Sequence, residues 1–154
     1  GQEMFRGHSQ RSLDDKGRLM LPPEIREVVF RLVPDGRLIL TNFDGCVAVY
    51  PLPEWEQIEA SFQNVNKFNR KIRDFQRFFI SGATEANMDK QWRIRIPQHL
   101  RSYAKIDREV VLAGVGKKFE IWDLAQFEGQ RKQMENEMDG VMDDLAQEGF
   151  ELFV

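Results

Sequence analysis

The chain has 154 residues, of which 42% are hydrophobic, including 12 phenylalanines and 3 tryptophans, so it can bury the core of one compact domain or two very small ones. Its single cysteine, Cys46, excludes an intrachain disulfide and fits a reducing cytoplasm. No run approaches the roughly 18 apolar residues of a membrane span, and no apolar h-region of a signal peptide is present, so we expect a cytoplasmic protein without a membrane partner.

The net charge of -3 is unevenly distributed. From Gln130 onward there are two basic and seven acidic residues, whereas the preceding part carries 20 basic and 18 acidic residues. A mildly basic body does not exclude a nucleic-acid partner, and the acidic tail is typical of a solvated appendage. The simpler interpretation of the tail is an acidic helix end that binds nothing.

The first repeated segment, "LDDKGRLMLPPEIR", begins at Leu13. Apolar residues alternate at Leu19 and Leu21, which predicts a strand after the turn Asp15-Lys16-Gly17. Pro22 ends this strand and suits the start of a short helix. The predicted elements of this copy are a strand at 19–21, a helix at 24–29, and strands at 38–40 and 47–50 on either side of the turn Asp44-Gly45.

A connector of about 30 residues follows, with two stretches of helical periodicity. Their apolar positions are Trp55, Ile58 and Phe62, then Phe68, Ile72, Phe75 and Phe79. Five basic residues lie in the second stretch: Lys67, Arg70, Lys71, Arg73 and Arg77. One interpretation is an amphipathic helix docked on the protein with a solvated basic face. The other is that this face holds DNA or the next subunit.

The second copy, "MDKQWRIRIPQHLR", begins at Met88. It matches the first copy at an offset of 75, and the later strands match at an offset of 72. We therefore place three extra residues of the first copy in the turn at 33–36. The predicted elements are a strand at 94–96, a helix at 99–104, and strands at 110–112 and 119–122. From Leu124 the pattern is helical, and it ends in "GFELFV".

Self-similarity at a fixed spacing indicates that each copy is one supersecondary unit. Such a unit is too small to bury its apolar face alone, and two packed copies could close a barrel without open edges. We divide the chain into a first repeat at 8–54, a helical connector at 55–82, a second repeat at 83–126 and an acidic helical tail at 127–154.

The first segment resembles the Asp-x-x-Gly-Arg-x-x-x-Pro signature of the AbrB/SpoVT swapped-hairpin family. With the second copy and the blocks "FDGCVAVYPLPEWE", "RDFQRFFISGATEANMD" and "EVVLAGVGKKFEIWD", the resemblance covers residues 4–123. It implies a mainly β fold with helices (α+β). In that fold, two tandem AbrB-like swapped-hairpin units form a pseudo-twofold double-psi-type β-barrel, with a helical connector and a C-terminal helix.

The resemblance also implies a function. It indicates a nucleoid-associated transcriptional regulator of the division and cell wall gene cluster. Such a regulator assembles into ring-shaped homo-oligomers and binds double-stranded DNA at repeated sites in its own promoter region. It implies no cofactor and no small-molecule substrate. His8 and His99 lie far apart and near no second candidate ligand, so no metal site is expected either.

The candidate site residues follow from the motif. Arg18 and Arg93 are the motif arginines, and each lies four residues after an aspartate. An Asp–Arg ion pair could serve only to lock the hairpin, or the locked arginine could meet a phosphate or a guanine at a smaller entropic cost. The DNA-binding candidates are Arg11, Lys16, Arg18, Arg26, Lys90, Arg93 and Arg101, and the structural motif residues are Asp14, Gly17 and Asp89.

The two copies differ at the turn, where Gly17 corresponds to Trp92. Glycine permits a positive φ and a close approach to a partner, and we expect tryptophan to permit neither. The first copy is therefore the better DNA-binding candidate, and the second could serve packing or assembly.

The sequence disfavours one other class of function and leaves two others open. An enzyme is disfavoured because Cys46 has no counterpart in the second copy, and "GVGKK" lacks the full phosphate-binding loop pattern. An antitoxin-like module that binds a protein partner is an alternative. Its usual form is one hairpin copy with a disordered tail, and copurification of a small nuclease would support it. A nonspecific nucleoid-associated DNA binder is the other alternative.

Overall fold

The computed structural model describes residues 3–153 as a mixed α+β protein. Its helices in this range are Pro23–Leu32 (α1), Leu52–Ser61 (α2), Arg70–Ser81 (α3), Gln98–Tyr103 (α4) and Leu124–Gln147 (α5), with a short 3-10 helix at Phe62–Asn64. Its strands are His8–Ser12 (β1), Arg18–Met20 (β2), Leu38–Phe43 (β3), Cys46–Pro51 (β4), Thr84–Ala86 (β5), Arg93–Arg95 (β6), Glu109–Gly114 (β7) and Phe119–Asp123 (β8). The chain divides into two compact units, Gly1–Leu124 and Ala125–Val154.

Six strands form one antiparallel sheet in the order β1-β7-β8-β4-β3-β5. The middle of the sheet, where β8 pairs with β4, separates two equivalent halves. Each half is a hairpin of one sequence copy completed by the first strand of the other copy: β1 pairs with β7, and β5 pairs with β3. Neither copy therefore completes its half of the sheet alone.

Strands β2 and β6 form a separate two-stranded antiparallel sheet, which is called the ribbon below. One strand comes from each copy, so the ribbon also joins the two repeats. Its register places Arg18 opposite Arg95, Leu19 opposite Ile94 and Met20 opposite Arg93. The pseudo-twofold axis that relates the copies thus passes between Leu19 and Ile94.

The main core contains residues of both sheets. Leu19 and Ile94 are each 1% exposed and pack with fully buried residues of the six-stranded sheet such as Leu40 and Leu112. Helices α1 and α4 add buried side chains to the same cluster, including Leu100. Because side chains alternate along a strand, burial of Leu19 and Ile94 directs the other ribbon side chains outward.

The closed barrel expected from the sequence is not found in residues 3–153. The six-stranded sheet ends at β1 on one side and at β5 on the other, and the ribbon is a sheet of its own. The ribbon strands are only three residues long. Pro22 and Pro97 follow them closely and provide no amide donor, so the ladder cannot continue there.

The two short helices, α1 and α4, lie where the sequence predicts them, but α1 is longer than predicted. Both begin at equivalent residues, with proline at the N-cap, yet α1 has ten residues and α4 has six. The links to the next strands, 33–37 and 104–108, are equal in length. The extra residues of the first copy therefore lengthen its helix. Our placement of them in the turn was wrong, because α1 continues through Phe30–Leu32 before it ends.

Helices α2 and α3 cover the other face of the sheet. Trp55 and Phe79 are buried there against Ile39, Ala48 and Tyr50. The end of α3 is also held by hydrogen bonds. The hydroxyl of the fully buried Thr41 donates to the carbonyl of Phe79 (2.7 Å). The side-chain amide of Asn42 donates to the carbonyl of Phe78 (3.1 Å). Both polar side chains of β3 are thus satisfied by the C-terminal carbonyls of α3.

The connector differs from the predicted pattern at one residue. The sequence periodicity predicts Phe68 on the apolar face of the second helix, but this residue precedes α3 and is 95% exposed. The helix begins only after Asn69, whose side chain accepts a hydrogen bond from Ile72 N, so Phe68 lies outside the periodic segment. The basic residues of α3 remain solvated, and Arg70 and Arg77 pair with Asp74.

The second unit consists mainly of α5, which confirms the helical prediction for the tail. The helix has 24 residues, and Met138 and Met142 are exposed on it. No helix among the described residues combines the length and apolar character needed to cross a membrane.

Ile94→Ala tests the role of the ribbon in the core. We expect it to lower the free energy of unfolding by about 2–5 kcal/mol, because it leaves a cavity at a closely packed position. Met20→Ala is the matched control, since Met20 is 52% exposed on the opposite face of the ribbon. It should change that free energy by less than about 0.5 kcal/mol. Urea denaturation followed by circular dichroism measures both, and equal effects would contradict the assigned faces.

Candidate nucleic-acid interface

Each ribbon strand begins at a turn that is organised by an aspartate. In the first turn, Asp14–Arg18, one carboxylate oxygen of Asp14 accepts from the amides of Lys16 (2.9 Å) and Arg18 (2.8 Å). The other oxygen accepts from Nε of Arg18 at 2.6 Å. The predicted Asp–Arg ion pair is therefore present, and it fixes both the turn and the direction of the arginine.

The second turn, Asp89–Arg93, repeats this arrangement. Asp89 accepts from the amides of Gln91 (2.8 Å) and Arg93 (3.0 Å) and from Nε of Arg93 (2.8 Å). One contact breaks the symmetry: Nη1 of Arg93 also lies 3.9 Å from the Asp14 carboxylate. Arg93 thus has two carboxylate neighbours within 4 Å, whereas Arg18 has one within the described chain.

Hydrogen bonds lower the pKa of both aspartates. For Asp14 the largest cause is the backbone amide of Arg18, and for Asp89 it is that of Arg93; the arginine side chains add to the effect. A depressed pKa stabilises the fold above the ordinary aspartate range, and this contribution is lost as the pH falls through the lowered value. Both turns are therefore held by ionised aspartates at neutral pH, and this contribution is lost only below the ordinary aspartate range.

The backbone at the tips of the two turns is the same despite the sequence difference. Gly17 has φ +75° and Trp92 has φ +63°, so tryptophan adopts the left-handed conformation here. Our expectation that Trp92 would not permit a positive φ was wrong. The hydrogen bond from its amide to the Asp89 carbonyl (3.0 Å) repeats that of Gly17 to Asp14 and imposes the turn geometry. The Trp92 side chain is 41% exposed, whereas at the first turn the Arg101 guanidinium lies where a side chain on Gly17 would begin.

Each turn is covered by an arginine from the other copy. The guanidinium of Arg26, on α1, lies 4.9 Å from the centroid of the Trp92 ring. The guanidinium of Arg101, on α4, lies where a Cβ atom on Gly17 would come within 2.9 Å of it, and its Nε donates to the Ile96 carbonyl (3.0 Å). These two helix arginines are half-buried supports for the turns.

The outer face of the ribbon is strongly basic. Arg18 and Arg93 are about a third exposed, at 30% and 27% of the side chain, and they lie at diagonal positions. Arg95 lies beside Arg18 and is exposed, and it makes no ion pair or side-chain hydrogen bond within residues 3–153. Met20 lies beside Arg93. Three guanidinium groups and one thioether therefore line a surface three residues long.

The remaining candidates lie around this face. Lys16 and Lys90 are exposed in the two turns. Arg11 is on β1, in the six-stranded sheet, and its Nη1 donates to the Gln10 carbonyl (2.8 Å). The structure thus places Arg18 and Arg93 on the ribbon and the two lysines in the turns that lead into it, while Arg11 lies on β1 of the six-stranded sheet.

Arg95 was not among the predicted site residues. The alternation of Ile94 and Ile96 already indicated that Arg93 and Arg95 share a face. The motif, however, has Met20 at the equivalent position of the first copy, so comparison of the copies gave no reason to select Arg95. The cross-pairing that sets it beside Arg18 is not visible in either copy alone.

The described residues offer little for other chemistry. Cys46 is fully buried, and burial raises the pKa of its thiol, so it is a poor nucleophile. Within residues 3–153 no group of three or more His, Cys, Asp or Glu side chains could hold a metal ion. The ribbon is therefore the strongest candidate site in this part of the chain.

Substitutions of Trp92 test the strain at the second turn. Trp92→Ala keeps the unfavourable φ but removes the ring contacts with Arg26 and Phe30, and we expect a loss of about 1–2 kcal/mol in the free energy of unfolding. Trp92→Gly also relieves the backbone, so it should be about 1 kcal/mol more stable than Trp92→Ala. Chemical denaturation measures the difference, and a less stable glycine variant would refute stored strain.

Comparison with known proteins identifies the family of the chain. A family model described as "MraZ protein, putative antitoxin-like" matches residues 4–78 and again residues 79–147. A transcriptional regulator MraZ of Solidesulfovibrio magneticus is 59% identical over 150 residues, which cover 97% of this chain and 99% of the relative. Those of Nitratidesulfovibrio vulgaris and Maridesulfovibrio salexigens are 45% and 47% identical over 148 residues, covering 96% of this chain and 97% of each relative. The chain belongs to the MraZ family.

Proposed function

We propose that this protein is a sequence-specific DNA-binding transcriptional regulator that acts on the division and cell wall gene cluster, including its own promoter. The relatives named above are transcriptional regulators, which supports the general role. The observation that carries the proposal is the outer face of the ribbon, where Arg18, Arg93 and Arg95 lie together. The ribbon is the part of the protein that meets DNA.

The dimensions of the ribbon suit a major groove. That groove admits a two-stranded β-ribbon, and arginine there can donate to O6 and N7 of guanine. Side chains two residues apart on a strand are about 6.6 Å apart, which is close to two base-pair steps of about 3.4 Å. The ribbon arginines can thus address bases at both ends of a short site, while Lys16 and Lys90 meet the flanking phosphates.

The aspartate locks prepare two of these arginines for binding. A free arginine side chain loses rotamer freedom when it is fixed on a base. Arg18 and Arg93 are already held through Nε by Asp14 and Asp89, and a guanidinium fixed in this way can still direct Nη donors outward. Arg26 and Arg101 support the turns and act on DNA binding through them.

The finer fold and the assembly are part of the same proposal. The exchange of first strands between the copies supports a swapped-hairpin origin for the two repeats. We propose that several chains assemble into a ring, so that the ribbons recur at the spacing of repeated sites on double-stranded DNA.

A gel shift with the promoter region of the protein's own operon, compared with random DNA of equal length, tests the function. We expect binding to the promoter at least about 1,000-fold tighter than to random DNA. Light scattering on the free protein reports the assembly, and a monomer would refute the ring. Equal affinity for both DNAs would refute sequence specificity and leave a nonspecific nucleoid-type binder.

Arg18→Ala should weaken specific DNA binding more than Arg93→Ala. Arg93 has two carboxylates within 4 Å and lies next to the exposed Trp92 ring, so its charge and its access are more restricted. We expect a loss of about 1–3 kcal/mol for Arg18→Ala. Binding titrations at fixed salt measure both variants, with thermal melts to verify folding. An equal or larger loss for Arg93→Ala at unchanged stability would contradict the asymmetry.

A further inference from the structure

The two ends of the ribbon differ in chemistry although the backbone is pseudo-symmetric. The pseudo-twofold axis exchanges Arg18 with Arg93, which are the same residue type, and Met20 with Arg95, which are not. One end therefore carries the pair Arg18 and Arg95, and the other carries the pair Met20 and Arg93. The two ends of the ribbon therefore differ in surface chemistry only at the Met20 and Arg95 positions.

Arg95 differs from the other two arginines because no carboxylate in the described part of the chain pairs with it. Arg18 and Arg93 are bound to Asp14 and Asp89, whereas Arg95 is exposed and has no ion-pair partner in residues 3–153. It also lies directly opposite Arg18 in the register. Like charges at directly opposed strand positions are destabilising, so the Arg18–Arg95 pair lowers the stability of the free protein. A ligand that accepts hydrogen bonds from both guanidinium groups would relieve this repulsion.

The environment at the other end favours a different base. Met20 is 52% exposed and replaces a donor by an apolar side chain. In a major groove, an arginine recognises guanine through two hydrogen bonds, whereas an apolar side chain contacts the methyl group of thymine. The two ends of one ribbon are therefore suited to different bases.

We propose that Arg95 is a specificity-determining residue that selects guanine at one end of the ribbon's DNA site, and that Met20 removes this selection at the other end. The inference rests on the proposed function. Selection of guanine requires the two hydrogen-bond donors that arginine presents in a fixed geometry. A phosphate contact would need only the positive charge.

Selection of binding sites from a random DNA library tests this with five proteins: wild type, Arg95→Met, Arg95→Lys, Met20→Arg and the control Lys132→Met. Arg95→Met should lose a guanine preference at one end and bind the wild-type site about 5- to 150-fold more weakly. Arg95→Lys should lose most of that preference while it keeps the charge. Met20→Arg should gain a guanine preference at the opposite end. Lys132→Met, which removes a charge in the second unit, should leave the selected sequence unchanged.

Three other results would contradict either this proposal or the proposed function. If Arg95→Met weakens binding to selected and random DNA alike, and Arg95→Lys restores it, Arg95 is a phosphate contact and the proposal is overturned. Unchanged selection by Arg95→Met overturns it as well. If the wild type selects no sequence, it is the proposed function that fails. Thermal melts separate these results from misfolding, because relief of the Arg18–Arg95 repulsion should leave Arg95→Met at least as stable as the wild type.

Discussion

The pairing of β2 with β6 is the interaction on which the rest of the structure depends. It brings Leu19 and Ile94 together at the pseudo-twofold axis, and both are almost completely buried. Burial of this pair fixes which face of the ribbon is apolar, and strict alternation then places Arg18, Arg93 and Arg95 on the other face. A shift of one residue in the register would bury the arginines. The hydrophobic core therefore determines which ribbon surface is basic and exposed, and this is the surface that we propose for DNA binding.

Local features of the fold could be predicted from the sequence, and its long-range strand pairings could not. Alternating residues such as Ile94 and Ile96 indicate a strand, and Pro22 and Pro97 mark where helices begin, because these signals act within a few residues. The partner of each strand depends on contacts far apart in the chain. Nothing near His8–Ser12 indicates that this strand pairs with Glu109–Gly114, so the exchange between copies and the open sheet were outside the reach of periodicity.

The same distinction holds for the candidate site. The spacing of Asp14 and Arg18 was sufficient to predict their ion pair, since both lie in one turn. Trp92 was misjudged because propensity disfavours a positive φ for tryptophan, while the turn hydrogen bond to Asp89 and the contact with Arg26 outweigh that preference. Arg95 was missed because its importance comes from its neighbour in the other copy.

The exchange of strands between the copies also affects how the chain must fold during synthesis. The hairpin of β3 and β4 leaves the ribosome early, but its edge partner β5 follows some forty residues later, and β1 waits for β7, which lies about a hundred residues further along. Until then the first half of the protein has unpaired strand edges and an incomplete core. Pairings at such long range are slow to form, so the nascent chain depends on completion of its second repeat before either repeat is protected from aggregation.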